Sequence, residues 1–102
     1  MGKRSKPYKI GKYIFQYDFD ECIVYYVFKV TKEELKENEE WMKMYNRPLY
    51  EVNEDGYSDI DGVGLRLSNW KNKEARDYYL NYWIDELEEE ARILSKEYEM
   101  WG

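Results

Sequence analysis

One apolar stripe near the C-terminal end of the chain constrains the fold more than any other feature. Its seven members are separated alternately by 4 and 3 residues: Leu80, Ile84, Leu87, Ala91, Leu94, Tyr98 and Trp101. This spacing places them along one side of a single α-helix, as in the a and d positions of a heptad. We therefore predict a long last helix, capped by Ser68 or Asn69 and running from about Lys71 towards Tyr98. The stripe is expected to face the sheet; pairing of two such helices in a homodimer or larger homo-oligomer is the alternative.

Four segments that precede this helix have the pattern of β-strands. Apolar and polar residues alternate from 12 to 19, and the run from 22 to 30 is β-branched and aromatic on both sides, so these two segments predict a hairpin. Residues 49–52 and 60–67 predict a third and a fourth strand, the fourth with glycines that are typical of an edge or a bulge. Thr31 followed by Glu34 is a capping box, which predicts a helix from Lys32 to Tyr45. The predicted fold is α+β in the order ββαββα, with a four-stranded, mainly antiparallel sheet packed by two helices, the C-terminal one long.

Charge divides the chain into a basic start and an acidic body. Five of the first twelve residues are basic, and the remaining ninety carry 11 basic and 22 acidic residues, a net charge of −11. A polar, basic start that contains glycine and proline predicts a flexible tail over residues 1–10. Residues 11–102 are expected to form a single α+β domain, because a chain of 102 residues has the usual size of one.

Residue types that are missing or rare remove several kinds of chemistry. The sequence contains no histidine, which excludes imidazole general-base catalysis, Ser-His and Cys-His nucleophile pairs and most zinc and copper sites. The one cysteine, Cys22, lies in an apolar run and is predicted to be a buried, inert thiol. We expect a non-enzymatic protein with no catalytic residue, no cofactor and no metal, although the many carboxylates leave a small hydrolase open.

No apolar run is long enough to span a bilayer, so we expect a cytoplasmic protein without a membrane partner.

An acidic turn between residues 53 and 61 contains Asp55, Asp59 and Asp61. It fails as a calcium-binding loop in either register, because Tyr57 falls where the first aspartate is needed, or Ile60 where the glycine is needed. We interpret it as a solvated acidic turn, with loose binding of a divalent cation left open.

The last helix carries the densest negative charge of the chain. Its acidic residues include Asp85, Glu86, Glu88, Glu89, Glu90 and Glu97, opposed only by Arg92 and Lys96. One interpretation is a solvated face. The other is a mimic of nucleic-acid phosphates, which docks in the Lys/Arg groove of a basic nucleic-acid-binding protein or nuclease. In that hypothesis Asp55, Asp59 and Asp61 extend the surface, and Tyr79 and Tyr82 are its aromatic anchors. The same negative charge argues against direct binding of nucleic acid by the basic tail.

In its small size, its tyrosine-rich and histidine-free composition and its acidic helical segment 85–90, the chain resembles inhibitors of bacterial defence nucleases from phages and mobile elements, notably anti-CRISPR proteins. Those inhibitors share no common fold or site, so the resemblance assigns no residue. It implies a phage protein that acts in the cytoplasm of the host cell and occludes the basic groove of a nuclease, as an anti-CRISPR or anti-restriction protein. The alternative function is a homo-oligomeric structural module that pairs through the last helix.

Overall fold

The fold comes from a computed structural model, which describes the backbone of residues 3–101 and the side chains of residues 3–96. In chain order the elements are β1 (Tyr8–Ile10), β2 (Tyr13–Asp18), β3 (Ile23–Lys29), α1 (Lys32–Tyr45), β4 (Tyr57–Gly64), α2 (Leu67–Lys71) and α3 (Lys73–Trp101). The four strands form one antiparallel sheet in the order β1-β2-β3-β4. This confirms the α+β class, the four-stranded sheet and the long C-terminal helix. Over the described part of the chain, no helix has the length and apolarity needed to cross a membrane.

The chain divides into two compact units, residues 1–65 and residues 66–102. The first unit contains the sheet and α1, and the second contains α2 and α3. The single domain and the flexible tail both stay predictions. Part of the segment assigned to the tail nevertheless belongs to the sheet, because Tyr8–Ile10 form β1 and Arg4 forms an isolated antiparallel bridge with Asp18.

The two faces of strand β2 differ in chemistry although both are buried. Side chains alternate between the faces along a strand. One face carries the buried aromatic residues Tyr13, Phe15 and Tyr17, as the alternation predicts. The opposite face carries Gln16 and Asp18, which are polar and also buried. Buried polar groups require hydrogen-bond partners, and the partners of these two residues shape one of the candidate sites below.

Helix α1 forms where the capping box predicts it. The Thr31 hydroxyl accepts the N–H of Glu34 at 3.2 Å, and the Glu34 carboxylate accepts the N–H of Thr31 at 3.2 Å. At the other end Asn46 adopts the left-handed conformation, with φ of 58°, and donates its N–H to the carbonyl of Met42. No residue of α1 is buried. Capping rather than burial therefore fixes the ends of this helix.

The predicted strand at residues 49–52 is wrong. The Asn38 carboxamide oxygen accepts the N–H of Leu49 at 2.6 Å and of Tyr50 at 3.3 Å, and its NH₂ donates to the carbonyl of Tyr50 at 3.1 Å. One side chain of α1 thus satisfies backbone groups that a strand would offer to a neighbouring strand. The sheet nevertheless has four strands, because Tyr8–Ile10, which were not predicted as a strand, form β1.

Strand β4 lies three residues earlier than the predicted span of 60–67. The turn before it closes early, because Gly56 adopts a positive φ of 85° and donates its N–H to the carbonyl of Asn53 at 3.0 Å. Tyr57 is therefore already paired with Lys29 of β3. Glycine is favoured here because residues with a side chain rarely adopt this positive φ. The atom nearest to a Cβ at Gly56 would be Nζ of Lys29 at 2.9 Å, which lies at the movable end of its side chain.

Asn72 separates the C-terminal helical region into α2 and α3. Its backbone is extended, with φ of −95° and ψ of 113°, and its side-chain oxygen accepts the N–H of Glu74 at 3.0 Å and of Ala75 at 3.2 Å. Asn72 is therefore the N-cap of α3. The prediction that Ser68 or Asn69 caps the long helix is wrong, since both lie inside α2.

Candidate functional site

One side of α3 carries both predicted aromatic anchors and several of the predicted acidic residues. Successive helical residues are rotated by about 100°, so a set of five lies away from Leu80 and Ile84, on the side of the helix where Arg92 and Lys96 follow. We call this set the outer face: Tyr79, Tyr82, Asp85, Glu86 and Glu89. All five side chains are exposed, Tyr79 to 46% and Tyr82 to 62%. Exposed tyrosines beside carboxylates are typical anchors of a protein-binding surface.

The apolar stripe of α3 is buried over only part of its length. Leu80 is 1% exposed, whereas Leu94 is 64% exposed. Ile84 is buried and Leu87 half-buried, but every residue from 88 to 96 is exposed. Nine consecutive exposed residues make about two and a half turns, so no side of the helix is covered there. We call Ala91 and Leu94 the exposed stripe.

Negative charge is concentrated at the start of this uncovered region. Five carboxylates lie within the six residues from Asp85 to Glu90. At 1.5 Å of rise per residue this gives about one charge per 1.8 Å of helix axis, against about 1.7 Å in duplex DNA. Glu88 and Glu90 lie beside the stripe, and the other three carboxylates belong to the outer face. The side chain of Glu97, also predicted to bind the partner, lies outside the described side chains.

The acidic turn of the first unit is held by contacts within the chain. Two hydrogen bonds join Arg4 to Asp59, Nη1 to Oδ1 at 2.5 Å and Nη2 to Oδ2 at 2.8 Å, and they raise the pKa of the guanidinium. The same guanidinium lies 4.1 Å from the centre of the Tyr25 ring. Asp61 accepts the N–H of its neighbour Gly62 at 2.8 Å. A basic partner would therefore have to displace Arg4 before it could pair fully with Asp59.

Gln16 joins this turn to the sheet from a completely buried position. Its Nε2 donates to Oδ2 of Asp55 at 2.9 Å and to the carbonyl of Ser5 at 3.3 Å, and its Oε1 accepts from Nδ2 of Asn53 at 2.8 Å. Asn53 in turn accepts the N–H of Asp55 at 3.0 Å and of Tyr57 at 3.1 Å. The carboxylate of Asp55 is thus directed towards the sheet by a connected set of side-chain hydrogen bonds.

An acidic cleft of about 710 Å³ opens beside the turn. Its charged lining consists of Asp18, Glu21, Glu51, Glu54, Asp55 and Asp59, with Lys3 and Arg4 as the basic members. Among residues 3–96, whose side chains are described, histidine, cysteine and acidic residues form no group of three or more that could hold a metal ion. The cleft has the electrostatics to receive a positively charged group rather than an anion.

The sequence did not predict this cleft or the pairing of Arg4 with Asp59. The two residues are 55 positions apart, and no periodic pattern connects them. The prediction that Cys22 is buried is wrong, because this residue is exposed. It ends a turn, with φ of 56° and its N–H donated to the carbonyl of Asp18, and the apolar strand begins only at Ile23.

Comparison of the chain with protein-family models, with curated proteins and with solved structures finds no match in any of the three. The surfaces described above are therefore the basis for a functional proposal.

Proposed function

We propose that this chain is a non-enzymatic inhibitor that binds a basic nucleic-acid-binding protein or nuclease through the outer face of α3. One observation carries the proposal: Tyr79 and Tyr82 are exposed on the side of α3 that also carries the carboxylates of Asp85, Glu86 and Glu89. Single exposed rings are ordinary on protein surfaces, so the support comes from the two tyrosines lying together beside the carboxylates.

The two kinds of side chain have different tasks in this proposal. Burial of a tyrosine at the centre of an interface supplies affinity, with anchors of this kind contributing about 2 kcal/mol or more each. Carboxylates contribute mainly to the association rate and to the choice of a basic partner. The outer face therefore combines an apolar anchor with electrostatic steering.

A groove that binds nucleic acid is the partner surface that matches this charge. Such a groove presents lysine and arginine side chains at the density of the phosphates they neutralise. A helix with a comparable density of carboxylates would occupy the groove and exclude the nucleic acid, as a DNA mimic. The resemblance to anti-CRISPR proteins extends the proposal to a nuclease of bacterial defence as the partner.

Competition with DNA tests the proposal directly. The immobilised protein is incubated with cell extract, and bound proteins are eluted with an excess of short duplex DNA and identified by mass spectrometry. We expect the eluted proteins to be nucleic-acid-binding proteins, and their capture to be lost in about 1 M salt, where the Debye length is about 3 Å. Proteins that remain bound in the presence of both DNA and salt would contradict the proposed mode of binding.

Matched variants separate the outer face from net charge. The combined substitutions Asp85→Asn, Glu86→Gln and Glu89→Gln neutralise the outer face, and Tyr82→Ala removes an anchor. The control set Glu37→Gln, Glu39→Gln and Glu40→Gln removes the same charge from exposed positions of α1. We expect capture to fall about tenfold or more in each outer-face variant and to persist in the control. Equal losses in the outer-face and control sets would show that only net charge matters.

A further inference from the structure

The part of α3 that follows Leu87 has the form of a helix-pairing seam, and its described side chains, residues 88–96, are all exposed. The backbone remains helical to Trp101, and the heptad spacing continues without interruption. Leu94 is nevertheless exposed to 64%, whereas Leu80, two heptads earlier, is buried. A preformed helix with exposed apolar residues at heptad spacing is the element that binds a second helix.

The width of the stripe changes where its burial ends. Near Leu80 the apolar side is broad, because Trp83 beside the stripe is buried as well. A broad apolar side is typical of a helix that faces a core, whereas a strict a/d stripe is the narrower seam of a coiled coil. Beyond Leu87 the positions beside the stripe are Glu88 and Glu90, both exposed. The exposed stripe therefore has the geometry of a coiled-coil seam with acidic borders.

These borders determine which helix fits. Charges beside the a/d positions choose the partner of a coiled coil. The sequence continues the borders with Ser95 and Glu97, and the basic residues Arg92 and Lys96 lie on the far side of the helix. After Leu87 all charged border positions are thus acidic, and they complement a helix with basic borders.

A second copy of this chain is a poorer occupant for two reasons. Between residues 88 and 97, two copies have no basic border residue to offer each other, so neither a parallel nor an antiparallel pair of these segments forms an ion pair across the seam. The uncovered helix also provides only about two heptads, fewer than the three to four over which a heptad pattern indicates a coiled coil. The apolar contact therefore extends over too few heptads to hold two helices together alone, and attraction between opposite charges has to supply the rest of the binding free energy.

We infer that the exposed stripe docks an amphipathic helix of a different protein, with lysine or arginine at its border positions and a large apolar residue opposite the small Ala91. This surface lies on the other side of α3 from the outer face. The inference is therefore separate from the proposed function, and each can fail without the other.

A pair of designed peptides tests this inference. The first peptide has three heptads, with leucine at both core positions, lysine at both border positions and glutamine elsewhere. The second has glutamate in place of every lysine. Binding of each labelled peptide to the whole protein is measured by fluorescence anisotropy at about 50 mM salt, where screening is weak. We expect saturable binding of the lysine peptide and none of the glutamate peptide.

The variants identify the surface. Leu94→Gln should lower the affinity for the lysine peptide about tenfold or more, since it removes a leucine that the bound peptide would bury. Glu88→Gln with Glu90→Gln should weaken it about three- to tenfold. Ile93→Gln is the matched control, because Ile93 is 50% exposed but lies away from the stripe, and it should leave affinity unchanged. Leu94 and Ile93 are both exposed, so thermal unfolding should be the same for these two variants as for the wild type.

Several results would overturn the inference. They are absence of binding, equal binding of the two peptides, and equal losses from Leu94→Gln and Ile93→Gln. Sedimentation of the wild-type protein adds one more: a dimer that Leu94→Gln abolishes would make a second copy the occupant. The outer-face variants should retain the peptide. If the wild-type protein binds the lysine peptide but captures no nucleic-acid-binding protein from extract, that result counts against the proposed function alone. The reverse pattern counts against this inference alone.

Discussion

Replacement of Gln16 by glutamate should destabilise the protein in a way that depends on pH. Gln16 is completely buried, and its NH₂ group donates to the carboxylate of Asp55 at 2.9 Å. Gln16→Glu keeps the shape of the side chain but removes this donor. Near neutral pH it places a buried carboxylate against the exposed carboxylate of Asp55, with only the NH₂ group of Asn53 left to donate to the new one.

The expected magnitude follows from the lost donor and the added charge. The hydrogen bond to Asp55 involves a charged acceptor and contributes about 1.5–3 kcal/mol, and an uncompensated buried charge costs about 3–5 kcal/mol. We expect the free energy of unfolding to fall by about 3–5 kcal/mol at neutral pH, a large part of the total stability of about 5–15 kcal/mol typical of proteins.

Acid should restore most of this loss. Burial and the neighbouring Asp55 raise the pKa of the introduced carboxyl in the folded state above its unfolded value of about 4.3. A group with a raised folded pKa contributes its full stability below the unfolded pKa and loses it as pH rises through the folded pKa. When protonated, the new group donates to Asp55 and still accepts from Asn53, as the carboxamide did. The deficit relative to wild type should therefore shrink towards about pH 4.

Urea unfolding of wild type and variant, followed by circular dichroism at several pH values, measures this deficit. Gln16→Met is the matched control, since it removes the hydrogen bonds but adds no ionisable group. Its cost should be about 2–3 kcal/mol and nearly independent of pH. If Gln16→Glu is as stable as wild type at neutral pH, or if its deficit is the same at every pH, the buried network described for Gln16 is wrong.

Three further predictions concern stability. Arg4→Gln should lower the free energy of unfolding by only about 1–2 kcal/mol, because Asp59 is 40% exposed and solvent screens its ion pair with Arg4. A double-mutant cycle with Asp59→Asn should give a coupling energy of about 1 kcal/mol. Additive effects of the two substitutions would contradict an ion pair between these residues. Burial raises the pKa of Tyr17 to about 12, above the unfolded value of about 10, so its contribution is constant below pH 10 and about 2–3 kcal/mol is lost between pH 10 and 12. Tyr17→Phe should reduce that slope by about one proton in unfolding experiments, and an unchanged slope would refute the assignment. Leu80→Ala should cost about 2–5 kcal/mol and Leu94→Ala less than about 0.5 kcal/mol by urea unfolding, whereas equal costs would mean that the stripe is covered throughout.

The sequence predicted elements well where the signal is local. The capping box at Thr31 and Glu34 marks the start of α1 because both halves of the signal lie within one helical turn. Strand β2 is predicted by alternation for the same reason. Prediction failed at residues 49–52, where the side chain of Asn38 takes over the backbone hydrogen bonds. No local pattern can show that a residue eleven positions earlier will do so.

The candidate surfaces also differ in how far the local sequence predicts them. Helical geometry alone places the outer face on one side of α3, and that placement required only the identification of the helix. The cleft of the first unit depends instead on Arg4 reaching Asp59 and on Gln16 reaching Asn53 and Asp55. These contacts join residues distant in sequence, and they exist only once the turn and the sheet have formed.

Burial along α3 can be predicted only in part from local sequence. Leu80 and Leu94 occupy equivalent heptad positions, so the period predicts the same environment for both, yet one is buried and the other exposed. The border position between them changes in character: it is the buried Trp83 three residues after Leu80, and one heptad later it is the exposed Glu90, four residues before Leu94. A glutamate beside a core-facing leucine would have to be buried or would open the interface to water, whereas a tryptophan extends the apolar side. The composition of the borders, together with the period of the stripe, therefore indicates where the burial of this long amphipathic helix ends.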